Sequence, residues 1–104
     1  MANPSPAKLN GPKRILIIYN PSAGRFNRGH FGKVVSELDR LGCDVTIEQT
    51  TRRGDAEALA KLADPARVDA VVAAGGDGTI GEVLNGLLGR GLPLGIIPLG
   101  TANV

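Results

Sequence analysis

Apolar residues along this chain fall into two alternating patterns. Short apolar runs bounded by Gly, Pro or Asn read as strands, and stretches with apolar residues three and four apart read as helices. Lys13 to Tyr19 is the first strand, apolar on both faces. Phe31, Val34, Val35, Leu38 and Leu41 mark the first helix, which Gly42 ends. In the second strand, Cys43 to Gln49, Val45 and Ile47 alternate with Asp44, Thr46 and Glu48, so one face is wet. Ala56, Leu59, Ala60 and Ala63 mark the second helix, closed by Asp64-Pro65. Val68 to Ala74 reads as a third strand, buried on both faces. Ile80, Val83, Leu84, Leu87 and Leu88 place a third helix from about Thr79 to Leu88, and Leu94 to Ile97 is a fourth strand. Met1 to Pro12, rich in Pro, Asn, Ser and Ala, reads as a disordered leader.

Strand–helix alternation predicts an α/β fold, an open parallel sheet with right-handed crossovers. Strands one and three, apolar throughout, belong in the centre, and the alternating second strand belongs at an edge. The order 2-1-3-4, with helices on both faces, satisfies this and is Rossmann-like. It makes strands one and three neighbours whose crossovers diverge, the switch point at which open α/β sheets bind ligands.

Two loops then sit side by side. Gly75-Gly76-Asp77-Gly78-Thr79 leaves the third strand for a helix start. Its glycines let backbone approach a ligand, and a helix start offers unpaired N–H groups to an anion. A single Asp suits a metal bound to phosphate better than phosphate itself. The plainer readings are a solvated turn carboxylate at Asp77 and a capping box, with Thr79 as N-cap and Glu82 three residues on. Asn20-Pro21-Ser22-Ala23-Gly24-Arg25 leaves the first strand. Asn20 can hold the turn through its side chain and Pro21 fixes φ. This is an ordinary loop or a second phosphate cradle, with Arg25 or Arg28 near the anion. On the same rim, Thr51 can donate to phosphate or a purine, and Asp55 can cap the second helix. Pro98-Leu99-Gly100-Thr101-Ala102-Asn103 follows the fourth strand there. His30 reads as an exposed first-turn residue.

Composition narrows the field. At 104 residues this is one domain or part of one. No apolar run approaches the roughly 20 residues of a membrane span. A formal net charge of +2 is too weak to argue for nucleic acid. The single cysteine, Cys43, forms no internal disulfide and reads as a small packed residue. Without an apolar signal core, a cytoplasmic location is expected. There is no Gly-x-x-x-x-Gly-Lys-Ser/Thr loop, no Gly-x-Gly-x-x-Gly turn after the first strand and no Gly-x-Ser-x-Gly elbow.

Asn20-Pro21-Ser22-Ala23-Gly24, Thr51 with Gly54-Asp55-Ala56, Gly75-Gly76-Asp77-Gly78-Thr79, Glu82, Asn85 and Pro98-Leu99-Gly100-Thr101-Ala102-Asn103 together resemble the diacylglycerol kinase catalytic domain. The resemblance runs from Lys13 to Val104. The Gly-Gly-Asp-Gly-Thr element alone is shared with NAD kinases and, more loosely, phosphofructokinases, whose lobe is of related type. The four motifs in order are more specific. The resemblance implies ATP in the switch-point crevice. Asn20, Pro21, Ser22, Ala23 and Gly24, with Gly75, Gly76, Gly78, Thr79, Ile80 and Gly81, would line the nucleotide. Thr51 and Thr101 would make polar contacts, and Asp77 would help to hold Mg²⁺ with the nucleotide phosphates. Many members carry an acidic residue where this chain has Val104. Family members continue into a second, mostly β domain that supplies most of the lipid site and the expected catalytic base. The chain therefore reads as residues 13–104 of a nucleotide-binding lobe, truncated before that domain and inactive alone, whose complete enzyme would phosphorylate a lipid hydroxyl at the inner membrane face. A non-catalytic nucleotide-binding module and an NAD kinase-like enzyme are the alternatives. Oligomeric state is open, a homo-oligomer included.

Overall fold

A computed structural model describes residues 13–23 and 28–100. The expected leader, Gly24, Arg25 and Thr101 to Val104 lie outside the described residues. The elements are β1 (Arg14–Tyr19), α1 (Arg28–Arg40), β2 (Asp44–Gln49), α2 (Asp55–Leu62), β3 (Ala70–Gly75), α3 (Asp77–Leu87) and β4 (Leu94–Pro98). Every paired strand is parallel and the sheet order is β2-β1-β3-β4, so α1 and α3 link adjacent strands and α2 carries the chain from β2 across β1 to β3. The central positions of β1 and β3 follow from their side chains: Ile17, Ile18, Val71, Ala73 and Ala74 are wholly buried. The edge strand β2 is mostly exposed, Ile47 included.

Alternation along the strands divides the core in two. Leu16, Ile18, Val71 and Ala73 face α2 and α3 through Ala56, Ala60, Val83 and Leu87. Ile17, Ala74, Ile97 and Leu99 pack with Phe31, Val34, Val35 and Leu38 of α1 on the other face. The two helices sharing a face approach closely at Gly86. A Cβ there would lie 2.6 Å from both the Ala60 Cβ and the Glu57 carbonyl oxygen, so only glycine fits.

Some expected boundaries and core positions move. β3 starts at Ala70 rather than Val68, because the Val68 amide donates to the Asp64 carbonyl and the Asp69 carboxylate is held by Arg14. It runs on to Gly75, whose carbonyl accepts from the Leu99 amide. β4 runs one residue further than expected, to Pro98. Leu41, expected in the core stripe of α1, is 63% exposed. It lies past the helix end, where Gly42 turns the chain with φ +88. Leu84 and Leu88 are 50% and 67% exposed. At 3.6 residues per turn Leu84 lies on the side of α3 opposite Gly86, which faces α2, and Leu88 is the C-cap, where the chain has already left the helix. Among the described residues no helix is long and apolar enough to cross a membrane.

Candidate functional site

The C-terminal ends of β1 and β3 are neighbours, and their loops are hydrogen-bonded to each other. The Asn20 amide N–H donates to the Ala74 carbonyl at 2.9 Å. Its side-chain Oδ1 accepts from the Ser22 amide at 3.0 Å and the Ser22 hydroxyl at 2.8 Å, so Asn20 does hold its turn as expected. The Ala23 amide closes that turn on the Asn20 carbonyl at 3.2 Å. Asn20 Nδ2 then donates across to Thr79 Oγ1 at 3.4 Å.

Thr79 is not the N-cap of α3. Gly76 holds that place in extended backbone, with no side-chain cap, and Asp77 is the first helical residue. The helix starts early because Gly75 remains in the sheet, leaving one residue for the turn. Thr79 is buried within the first turn, packed so close to Gly75 that a Cβ there would sit 2.7 Å from its Cβ and Oγ1. Gly76 in turn lies against Gly100, so the loops after β3 and β4 touch backbone to backbone. Exposed Asp77 stands at an N-terminus that no side chain caps, where first-turn N–H groups favour an anion.

Glu82 does not fold back on its own helix. Its carboxylate accepts the amide N–H groups of Gly54, Ala56 and Glu57 at the start of α2. The N-cap of α2 is Gly54, at φ +93, and so Asp55 is not the cap either. The Asp55 carboxylate instead accepts from the Thr51 amide at 2.8 Å, the Thr51 hydroxyl at 2.8 Å and the Arg52 amide at 3.1 Å. Those Thr51 bonds hold the Asp55 carboxyl below the usual carboxylate range. They also commit the Thr51 hydroxyl as donor to Asp55, so toward a ligand it offers lone pairs rather than a proton.

Two concavities result. The larger, about 580 Å³, is lined by Asn20, Pro21, Ser22, Thr51, Gly78, Thr79 and Glu82, with Thr50, Arg52, Arg53 and Ala56. The smaller, about 370 Å³, is lined by Gly75, Gly76, Asp77, Ile80, Pro98 and Gly100. The α3 N-terminus divides them. Most of the residues singled out from the sequence gather on one rim but in two groups, while Ala23, Arg28 and Gly81 line neither. Arg52 and Arg53 bring positive charge to the larger wall, beyond the residues that the motifs point to. An Arg pair beside Thr51 at a strand end was the available signal. His30 is exposed in the first turn of α1, as expected, and Cys43 is half-buried and free. Among the described residues no three His, Cys, Asp or Glu side chains gather as a metal site. A Mg²⁺ ion at Asp77 would share that carboxylate with phosphate and water, the partners that ion commonly keeps.

Comparison with known proteins adds an independent line. The sequence model of the diacylglycerol kinase catalytic domain matches residues 14–104. The chain is 45% identical over 94 residues to a diacylglycerol kinase of Bacillus subtilis (strain 168), covering 88% of this chain and 31% of that protein. It is 44% identical over 91 residues to the diacylglycerol kinase of Staphylococcus haemolyticus (strain JCSC1435), covering 84% and 27%. A crystal structure of a diacylglycerol kinase from Bacillus anthracis str. Sterne superposes with a TM-score of 0.73 at 36% identity, covering 89% of this chain and 33% of that one. The chain thus spans about a third of the length of these relatives.

Proposed function

This chain belongs to the diacylglycerol kinase catalytic domain family, and from that premise we propose that it is the ATP-binding lobe of a lipid kinase. One observation carries the reading: the uncapped N-terminus of α3, with Asp77 exposed at its first position, stands between two concavities built from the motif loops. The nucleotide phosphates lie against the Gly76–Thr79 backbone, where the helix dipole and first-turn N–H groups favour negative charge. Arg52 and Arg53 add positive charge from the opposite wall. Asn20 and Thr79 tie the α3 wall to the Pro21–Ser22 turn. Thr51 accepts a hydrogen bond from a donor on the nucleoside, an amino or ribose hydroxyl group. Asp77 holds Mg²⁺, which when bound neutralises phosphate charge.

Phosphoryl transfer also needs an acceptor hydroxyl held in line and a group to take its proton. No described residue on this rim is placed for either task, and we assign both to the part of the family's length that this chain does not span. The acceptor is a lipid hydroxyl, and the complete enzyme works peripherally at the cytoplasmic membrane face. The experiment is calorimetric titration of the folded chain with ATP, in Mg²⁺ and in chelator, alongside an assay of labelled phosphate transfer to diacylglycerol in mixed micelles. Mg²⁺-dependent binding without transfer is expected. A folded chain that binds no nucleotide overturns the proposal.

A further inference from the structure

Glu82 stands in the wall of the larger concavity, yet its carboxylate is spent on another helix. It accepts from the Gly54 amide at 3.0 and 3.1 Å, from Ala56 at 3.1 Å and from Glu57 at 3.4 Å. These are N–H groups that a helix start leaves without intrahelical partners. The Gly54 N-cap has no side chain to satisfy them.

Two consequences follow. The positive end of α2 is matched by a protein carboxylate, so it is not offered to a ligand anion. Of the two helix starts on this side of the rim, only that of α3 remains for phosphate. In addition, the turn carrying Thr51, Arg52 and Arg53 is tethered in two steps. Asp55 ties Thr51 and Arg52 to the first residue of α2, and Glu82 ties Gly54 and the α2 start to α3. The same helix presents Asp77, Gly78 and Thr79 at its beginning and Glu82 just over one turn later. Both walls of the crevice are therefore referenced to α3.

We propose that Glu82 is the positioning residue of the nucleotide site. It sets the distance between the Thr51–Arg53 wall and the glycine-rich wall, and it directs phosphate to α3 by occupying the α2 N-terminus. This inference rests on the nucleotide reading above. The far end of α2 supplies a control: Arg90 donates to the carbonyls of Ala60, Lys61 and Ala63, capping the C-terminus away from the crevice.

The test is calorimetric titration of the chain with Mg·ATP, comparing Glu82→Ala, Glu82→Gln and Arg90→Ala, with melting temperatures and amide NMR shifts recorded for each. Both alanine variants lose a helix cap and should lower the melting temperature. Glu82→Ala should also raise the dissociation constant about tenfold or more and shift the Thr51–Gly54 amides. Glu82→Gln keeps one carbonyl acceptor and should fall between it and the parent. Arg90→Ala should stay within about twofold of the parent. If Glu82→Ala does not fold, Glu82→Gln against Arg90→Ala decides in the same way. Unchanged affinity in the Glu82 variants, or an equal loss in Arg90→Ala, overturns the positioning role. Failure of the parent chain to bind Mg·ATP is a different result, and it overturns the nucleotide reading together with this inference.

Discussion

Gly75 and Thr79 fit together only because Gly75 has no side chain: a Cβ there would lie 2.7 Å from Thr79 Cβ and Oγ1. The Thr79 hydroxyl is also the point at which Asn20 joins the loop after β1 to the helix after β3. Gly75→Ala should therefore displace Thr79 and break the Asn20 link. Overpacking of this kind costs about 1–3 kcal/mol. Urea denaturation should show that loss, and the Asn20 side-chain amide resonances should move. Wild-type stability with unmoved Asn20 resonances would contradict the contact.

Glycines along α3 should respond in opposite directions. Gly86→Ala meets the Ala60 Cβ and the Glu57 carbonyl oxygen at 2.6 Å, a methyl and a backbone atom that no side-chain rotation can move away. It should destabilise the chain by about 1–3 kcal/mol or more. Gly81→Ala meets nothing within 4 Å. Alanine there should stabilise by roughly 0.5–1 kcal/mol through helix propensity and a less flexible unfolded chain. Denaturation midpoints of the two variants on either side of the parent are the expected result.

Asp77→Asn separates chemistry from structure. An exposed carboxylate at the first position of a helix contributes about 0.3–1 kcal/mol, so the melting temperature should fall only slightly. If Asp77 holds Mg²⁺ with nucleotide, the dependence of ATP binding on Mg²⁺ should largely disappear. A large drop in stability with intact Mg²⁺ dependence would reduce Asp77 to a helix-start residue.

Acid sensitivity should trace to the opposite end of the sheet. The Arg14 guanidinium, followed by the Arg14 amide N–H, holds the Asp69 carboxyl down at about 2 from its ordinary 3.8. A depressed carboxylate contributes stability that is fully present above its unfolded value. That contribution is lost as pH falls from about 4 toward 2. Asp69→Asn should be less stable than the parent at about pH 6, and the difference should shrink steadily as pH falls through about 4 and vanish only below about pH 2. Melting curves across that range check it; a gap that stays constant with pH would remove the Arg14–Asp69 pair as its source.

Element types, their order and the sheet arrangement are all legible in the chain's apolar periodicity. Continuous apolar runs at Ile15–Tyr19 and Val71–Ala74 can be buried only in central parallel strands, and the alternation at Val45 and Ile47 can satisfy only an edge. These patterns act through local periodicity and burial, which a linear reading captures. The rim loops were legible for the same reason, since parallel strands must end on one side. Where polar side chains reach is set instead by how the helices pack. Thr79-Ile80-Gly81-Glu82 has the spacing of a capping box. Tight packing at Gly86 against Ala60 instead brings the start of α2 within reach of Glu82, whose carboxylate takes three amides there. Asp55 likewise turned back to Thr51 once Gly54 held the cap. A carboxylate bonds to whichever orphaned N–H groups the fold carries nearest, and that distance is a property of two packed helices rather than of either one's sequence.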